Sequence, residues 1–554
     1  MKSDYFKLII IFLLRKIYRV FNLKKTTIDE YPITHKSIKN FYKPLPLTDY
    51  KNSNDGFFLR YFNSNIKNKY FLDNFFLLKY FHFLKYELFY GKIINSFIFK
   101  SDKYSYLIPI TPFKNIKIKI KIKYFNHKDG VKEKTLNIDK EKFTYLKINL
   151  NEKLEIKSHD KFIRGNPLIL NSKQRNFKKN VLLIYIDGLP SFNKNLSFEK
   201  LMPNTRDFFS NGIYFNNNYS SSEWTMPSFA SIFTGLYSHK HKIFHPRKKY
   251  DVSKFITISS LFKKEEYVNF QIGSNARSNP AYGYYNGFDR LIYKRNMGCD
   301  DVIFNYIEHS NTFKNSNQFN LITLFDLHHF LNGSPSIMSQ SKLNNDYLKL
   351  YKNKKSIHQE YDEIKIEILQ NEIKRLDFHL SIIYNYILKN FDPEENLVAL
   401  FSDHGHSYLG KNNDILSDNI TKVPLMIKDI TLNNKFTEEL TSNVDIFKSI
   451  LHLSNINYLD INNDSSLPKI LGGDEKNKYV ISESIYPNTP YYCKIRNKDG
   501  ILSFKTEEKI KNDKIIFNNY EYNLLDYMNK KVENSKLENL LLEKVLKQIE
   551  IFNN

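Results

Sequence analysis

The sequence predicts an α/β fold: a mainly parallel central sheet flanked by helices, with a β-rich domain before it and a small α+β subdomain after it. Three observations carry this reading. Two apolar runs, Asn180 to Gly188 and Leu397 to Gly405, each lead into an aspartate and a turn, as buried parallel strands do. Between them Leu369, Ile373, Leu376, Leu380, Ile383 and Ile387 recur at four- and three-residue steps, the pattern of a long amphipathic helix that stops near Asn390, ahead of Asp392-Pro393. Earlier, isoleucine and lysine alternate strictly from Ile116 to Lys123, the signature of a half-buried strand.

Taken in order, residues 1–25 form a basic amphipathic segment. Its apolar run, Leu8 to Leu14, is flanked by Lys7, Arg15 and Lys16, and is far shorter than the roughly 20 residues that span a bilayer. No small-residue cleavage site follows, so neither a signal peptide nor a transmembrane helix is expected. A helix over about Tyr5 to Phe21 would either make peripheral contact with an anionic membrane or dock on the protein. The expected location is the cytoplasm or the cytoplasmic membrane surface. Residues 26–175 make the β-rich domain, in which Phe143 to Leu150 and Leu154 to Lys157 continue the strand-like style. Residues 176–475 make the α/β core. Residues 476–554 make the C-terminal subdomain, with a strand at Tyr479-Val-Ile and a final helix through Leu537 to Leu546.

Composition narrows the function. Lys and Arg number 83 against 59 Asp and Glu, a net charge of +24, which draws anionic ligands. The lysines are spread along the chain without a nucleic-acid motif, so no nucleic-acid partner is expected. Cys299 and Cys493 are the only cysteines, too few for a disulfide framework and without metal-type spacing.

The residues that carry chemistry lie where strands end and helices begin. Asp187 closes the first apolar run and Asp403-His404 the second; Thr225, in Ser222-Glu-Trp-Thr225-Met-Pro227, stands just before a proline suited to a first helical turn. Carboxylates and an imidazole supply hard oxygen and nitrogen donors for a divalent cation. Coordination to such a cation lowers the pKa of a threonine hydroxyl, which is a poor nucleophile by itself. The plain alternatives are that the aspartates cap helices and that Thr225 is an N-cap. His239, His241 and His245 are clustered too, but a solvated loop is the expected reading for them.

At these residues the sequence resembles the sulfatase branch of the alkaline phosphatase superfamily, in order over about residues 178–530. Met202-Pro-Asn204-Thr205, Thr234-Gly-Leu-Tyr-Ser-His239, Gly287-Phe-Asp289, Asp326-Leu-His328-His329, Val423-Pro424-Leu-Met-Ile, Asn443-Val-Asp445 and Glu521 to Asp526 each resemble a family segment. The resemblance implies an alkaline-phosphatase/sulfatase-like core and one divalent ion (Ca, Mn, Mg or Zn) on Asp187, Thr225, Asp403 and His404. Thr225 would attack a phosphate or sulfate ester and carry a covalent ester. His328 would contact the substrate or protonate the leaving group, with His329 as its fallback; Lys411 and Lys422 are candidate substrate contacts. The substrate would be an anionic ester, saccharide or lipid-linked, at the cell envelope. Asp326 and His328 holding a second ion would instead imply a phosphodiesterase.

Two departures qualify the resemblance. Most sulfatases have cysteine or serine, matured to formylglycine, where this chain has Thr225, and an arginine where it has Phe229. Threonine is the nucleophile in related phosphoethanolamine transferases and lipoteichoic-acid synthases, so phosphoryl chemistry is favoured, by hydrolysis or transfer. Gly188 replaces a second aspartate of many sulfatases. The alternatives are a sulfatase without formylglycine and a non-catalytic binder of anionic glycan or lipid.

Overall fold

The structure is a computed structural model. It describes residues 55–61, 70–71 and 86–554, except 114–115, 127–129, 139–143, 173–176, 194–195, 247, 249, 276, 279, 295–296, 329–359, 412–413, 433–434 and 475–477. The basic segment at 1–25 and His329 lie outside the described residues. Two compact units, 1–167 and 168–554, divide the chain.

In the first unit the strands are β1 (Asp55–Tyr61), β2 (Tyr86–Lys100), β3 (Tyr106–Pro112), β4 (Ile118–Asn126), β5 (Gly130–Ile138), β6 (Thr144–Ile148) and β7 (Lys153–Gly165). They pair antiparallel: β2 with β1 and β7, β4 with β5 and β7, β3 with β6. The alternation read from the sequence sorts the faces of β4. Ile118, Ile120 and Ile122 are at most 1% exposed and pack with Ile108, Ile110, Leu154 and Ile156, while Lys119, Lys121 and Lys123 are exposed.

The second unit contains β8 (Asn180–Ile186), α1 (Pro203–Phe209), β9 (Ile213–Tyr219), α2 (Thr225–Thr234), β10 (Val268–Gly273), β11 (Arg290–Tyr293), α3 (Cys299–Thr312) and β12 (Gln318–Leu324). After them come α4 (Glu363–Asn390), β13 (Asn396–Phe401), β14 (Leu425–Asp429), β15 (Lys435–Ser442) and α5 (Ile446–Leu453). Its sheet runs β11-β10-β12-β8-β13-β14-β9-β15, parallel throughout except for β14. Every residue of β8 is buried, as a strand covered on both faces requires. In an open sheet of this kind ligands gather beyond the carboxyl ends of the strands, and β8, β12 and β13 sit side by side with such ends together. The central helix α4 reaches further toward its N-terminus than the apolar spacing alone marks. Its buried Asp377 accepts the backbone N–H groups of Asn204 (3.0 Å) and Thr205 (2.8 Å), capping α1 with a carboxylate from another helix.

The C-terminal part is a four-stranded antiparallel sheet, β16 (Val480–Ser484), β17 (Pro490–Asn497), β18 (Gly500–Lys509) and β19 (Tyr520–Leu525), with α6 (Ser535–Asn553) packed on it. The fully buried Arg496 ties it to the core: its guanidinium donates to Ser482 Oγ (3.0 Å) and Thr421 Oγ1 (3.1 Å) and lies 4.1 Å above the Tyr219 ring. Among the described residues no helix is long and apolar enough to cross a membrane.

Candidate active site

Three chain segments meet at one point. Asp187 follows β8, Thr225 opens α2, and Asp403-His404 follows β13. Thr225 is the first helical residue; Trp224, extended at φ −150° and ψ 162°, is the N-cap. Thr225 Oγ1 lies 3.2 Å from His404 Nε2 and 3.5 Å from Asp187 Oδ2. His404 Nδ1 donates to the Gly405 carbonyl at 2.8 Å. A carbonyl can only accept, so in the neutral ring the proton sits on Nδ1 and the Nε2 lone pair faces Thr225 and Asp187.

Asp403 is held from several sides. Its Oδ2 accepts Tyr185 Oη (2.8 Å), and its Oδ1 accepts the N–H groups of Gly188 (3.2 Å) and His404 (3.0 Å). Its backbone carbonyl accepts Ser228 Oγ (2.8 Å), from the first turn of α2, and Ser220 Oγ. Asp187 is fully buried; its Oδ2 accepts Asn275 Nδ2, while Oδ1 has no hydrogen bond. Burial, then the neighbouring Asp403 charge, push the Asp187 carboxyl well above the ordinary carboxylate range. Burial and the same two carboxylates raise the Tyr185 phenol.

His328, on the turn after β12, places Nε2 4.0 Å from Asp187 Oδ1 and its ring 5.9 Å from that of His404. Asp187, His328 and His404 offer three ligand atoms within 4.8 Å of one another, a group that could hold a metal ion. A divalent cation fits this donor set. It would give the bare Asp187 Oδ1 a partner, and two adjacent buried carboxylates need positive charge. Asp403, expected beside them as a ligand, lies 3.4 Å from His404 Nε2 with both oxygens already accepting protein donors.

The remaining candidates have partners of their own. Lys411 is exposed, with its ammonium 4.9 Å from the Tyr361 ring centroid, and Lys422 Nζ donates to Asn217 Oδ1 at 3.0 Å. Asp326, weighed as a second-ion ligand, is ion-paired to Arg375 (2.5 Å). The expectation of a solvated histidine loop fails at His239 and His241. Both are buried: His239 Nδ1 is 3.0 Å from Glu483 Oε2, and His241 Nε2 is 3.1 Å from Ser231 Oγ.

Both departures in the sequence have a packing cause. Phe229 is fully buried, stacked 4.9 Å from Tyr185 and edge-on at 4.9 Å to Tyr284, so its position belongs to an aromatic core. Gly188 adopts φ +77°, and a β-carbon there would come 2.8 Å from His406 Nε2. His406 thus fills the space a side chain at 188 would need. Gly188→Ala should lower stability by about 1–2 kcal/mol from the backbone alone, measured by denaturant unfolding, and displace His406.

Sequence reading missed Tyr185, Asn275, Ser228 and His406, which carry no periodic or motif signal. It also missed Arg277, whose guanidinium lies 5.6 Å from the Trp224 ring centroid, next to Thr225 in the chain, and donates to the Pro246 carbonyl.

This is an α/β fold with a candidate metal-binding group gathered at the strand ends. A family model of sulfatases matches residues 179–456, and the chain belongs to the sulfatase family, an ester hydrolase of the alkaline phosphatase superfamily. Among solved structures it is similar to a phosphonate monoester hydrolase from Silicibacter pomeroyi (15% identity, 67% of this chain and 96% of that one, TM-score 0.51). It is also similar to yidJ of Bacteroides fragilis, described as a candidate sulfatase (15%, 69% and 97%, TM-score 0.51). A third is a phosphonate monoester hydrolase from Agrobacterium radiobacter (14%, 68% and 96%, TM-score 0.50). At these identities the likeness establishes the fold. No curated protein matches the chain.

Proposed function

We propose that the chain cleaves or transfers a phosphate or sulfate ester through Thr225 as nucleophile, with phosphoryl esters preferred. The observation that supports this is the setting of the Thr225 hydroxyl: first turn of a helix, beside the lone pair of His404 and the buried Asp187 carboxylate. The first-turn N–H groups of α2 favour negative charge developing there.

Asp187, Asp403, His404 and Thr225 are the proposed ligands; His328, although its Nε2 is close enough to join Asp187 and His404 around an ion, is assigned to the substrate. One divalent ion held there would lower the pKa of the Thr225 hydroxyl and offset charge on the oxygens of the transferred group; the Thr225 proton leaves to solvent. Thr225 Oγ1 forms the new bond to phosphorus or sulfur as the bond to the leaving oxygen breaks. His328 is assigned to protonate that oxygen because its side chain is 25% exposed, against 5% for His404 and none for Asp187. Water, or a second alcohol, then cleaves the threonine ester and restores the hydroxyl.

Phosphoryl preference follows from Thr225 and Phe229. Threonine cannot be matured to formylglycine, and the aromatic stack around Phe229 leaves no guanidinium at that position. The test compares kcat/KM for matched aryl phosphate monoester, phosphodiester, phosphonate monoester and sulfate ester, counting only activity lost in Thr225→Ala. The best phosphorus ester should exceed the sulfate by at least about tenfold, a transition-state difference of ~1.4 kcal/mol. A sulfate ester turned over faster than all three would overturn the preference.

A further inference from the structure

We infer that Arg375 is a positioning residue that sets the place of His328 through Asp326; this rests on the reading that His328 serves the reaction. Arg375 lies in the middle of α4, its side chain 12% exposed. Nη2 donates to Asp326 Oδ1 at 2.5 Å, Nε to Glu372 Oε2 at 2.8 Å, and Nη1 lies 3.5 Å from Cys299 Sγ. The same Asp326 oxygen accepts the Cys299 N–H at 3.2 Å, at the start of α3. One guanidinium therefore clasps α4, the head of α3 and the turn that leaves β12.

That turn carries His328 two residues beyond Asp326. Its geometry is tight: the His328 N–H donates to the Phe325 carbonyl at 3.2 Å, and the imidazole stacks on Phe325 with centroids 4.9 Å apart and planes 13° from parallel. With Asp326 fixed at one end of so short a bracket, the ring at the other end has little room to swing. An apolar side chain at 375 could fill the space but would leave the Asp326 and Glu372 carboxylates buried without their partner, so Arg375→Met is also expected to lower stability. What an apolar residue cannot supply is direction. A planar fork with several donors fixes the carboxylate in orientation as well as distance.

The experiment uses the full chain with its histidines labelled at 13Cε1, in wild type, Arg375→Met, Arg375→Lys and Asp326→Asn. The His328 signal is assigned by its absence in His328→Ala. In Arg375→Met that signal should shift or broaden, while those of His239 and His241, buried elsewhere, stay in place. Kinetically, Arg375→Met should lower kcat by about 10–100-fold, the usual cost of losing a support behind a functional side chain, with a smaller change in KM. Arg375→Lys should recover part of the loss. In the His328→Ala background the same substitution should cost less than about threefold, because coupled residues are non-additive. An unmoved His328 signal, or an equal loss in both backgrounds, would show a merely structural role and overturn the inference. If Arg375→Met does not fold, Asp326→Asn reads the same coupling, because it removes the charge but keeps an acceptor. Should Thr225→Ala keep full activity, the functional reading fails; the His328 signal still decides whether Arg375 sets its place.

Discussion

Thr225→Ala is expected to abolish turnover, a loss of at least ~10³-fold in kcat if the hydroxyl is the attacking group. Stability should change by less than about 1 kcal/mol, because the substitution opens little space. The hydroxyl sits within 3.5 Å of two groups that would tolerate its removal, His404 and Asp187. Thr225→Ser keeps the oxygen and should retain part of the activity. The pair of variants, assayed on the best phosphorus ester with thermal unfolding measured in parallel, separates loss of the nucleophile from loss of the fold.

The second large effect concerns the cation, and its sign differs between loaded and unloaded protein. Without an ion, Asp187 and Asp403 are buried together and the Asp187 carboxyl is pushed well above its ordinary range, first by burial and then by its neighbour. Asp187→Asn removes one of the two charges, so in chelator the variant should unfold at the same temperature as wild type or higher. With a divalent ion added the order should reverse. An ion at 100 times its Kd stabilises the wild-type fold by about 2.7 kcal/mol, raising Tm by several degrees, and Asp187→Asn and His404→Ala should lose most of that gain. Chelation should remove activity, and one ion should bind per chain. A second tight ion lost on mutating Asp326 would contradict this account, in which Arg375 already holds that carboxylate. His328→Ala should keep the ion-dependent rise in Tm while losing activity, as befits a proton donor with a partly exposed side chain.

The fold and the four central residues were readable because each sits at a change of pattern. The apolar run of β8 breaks at a buried carboxylate, Asp187, and that of β13 at Asp403, a change of residue type that the sequence shows directly. Isoleucines 118, 120 and 122 announce their face because a strand repeats every two residues. What orients these residues was not readable. Asn275 reaches Asp187 from 88 positions away and Tyr185 reaches Asp403 from 218, and such contacts are made by topology, not by spacing. Phe229 reads as a missing arginine until Tyr185 and Tyr284 are seen around it. His239 and His241 look solvated because their neighbours in sequence are polar, yet Glu483, from β16, closes over His239. Lys411 and Lys422 stand out only by charge in a chain rich in lysine; Lys411 lies near the Tyr361 ring and Lys422 donates to Asn217.

The most direct test of Thr225 as nucleophile is a rapid acid quench of enzyme mixed with its best phosphorus ester, followed by peptide mapping. A phosphoryl group is expected on the peptide carrying Thr225, present at early times and absent in Thr225→Ala. It should still form in His328→Ala when the leaving alcohol is a good one that needs no proton. A modified peptide from another part of the chain, or full turnover by Thr225→Ala, would contradict the nucleophile assignment.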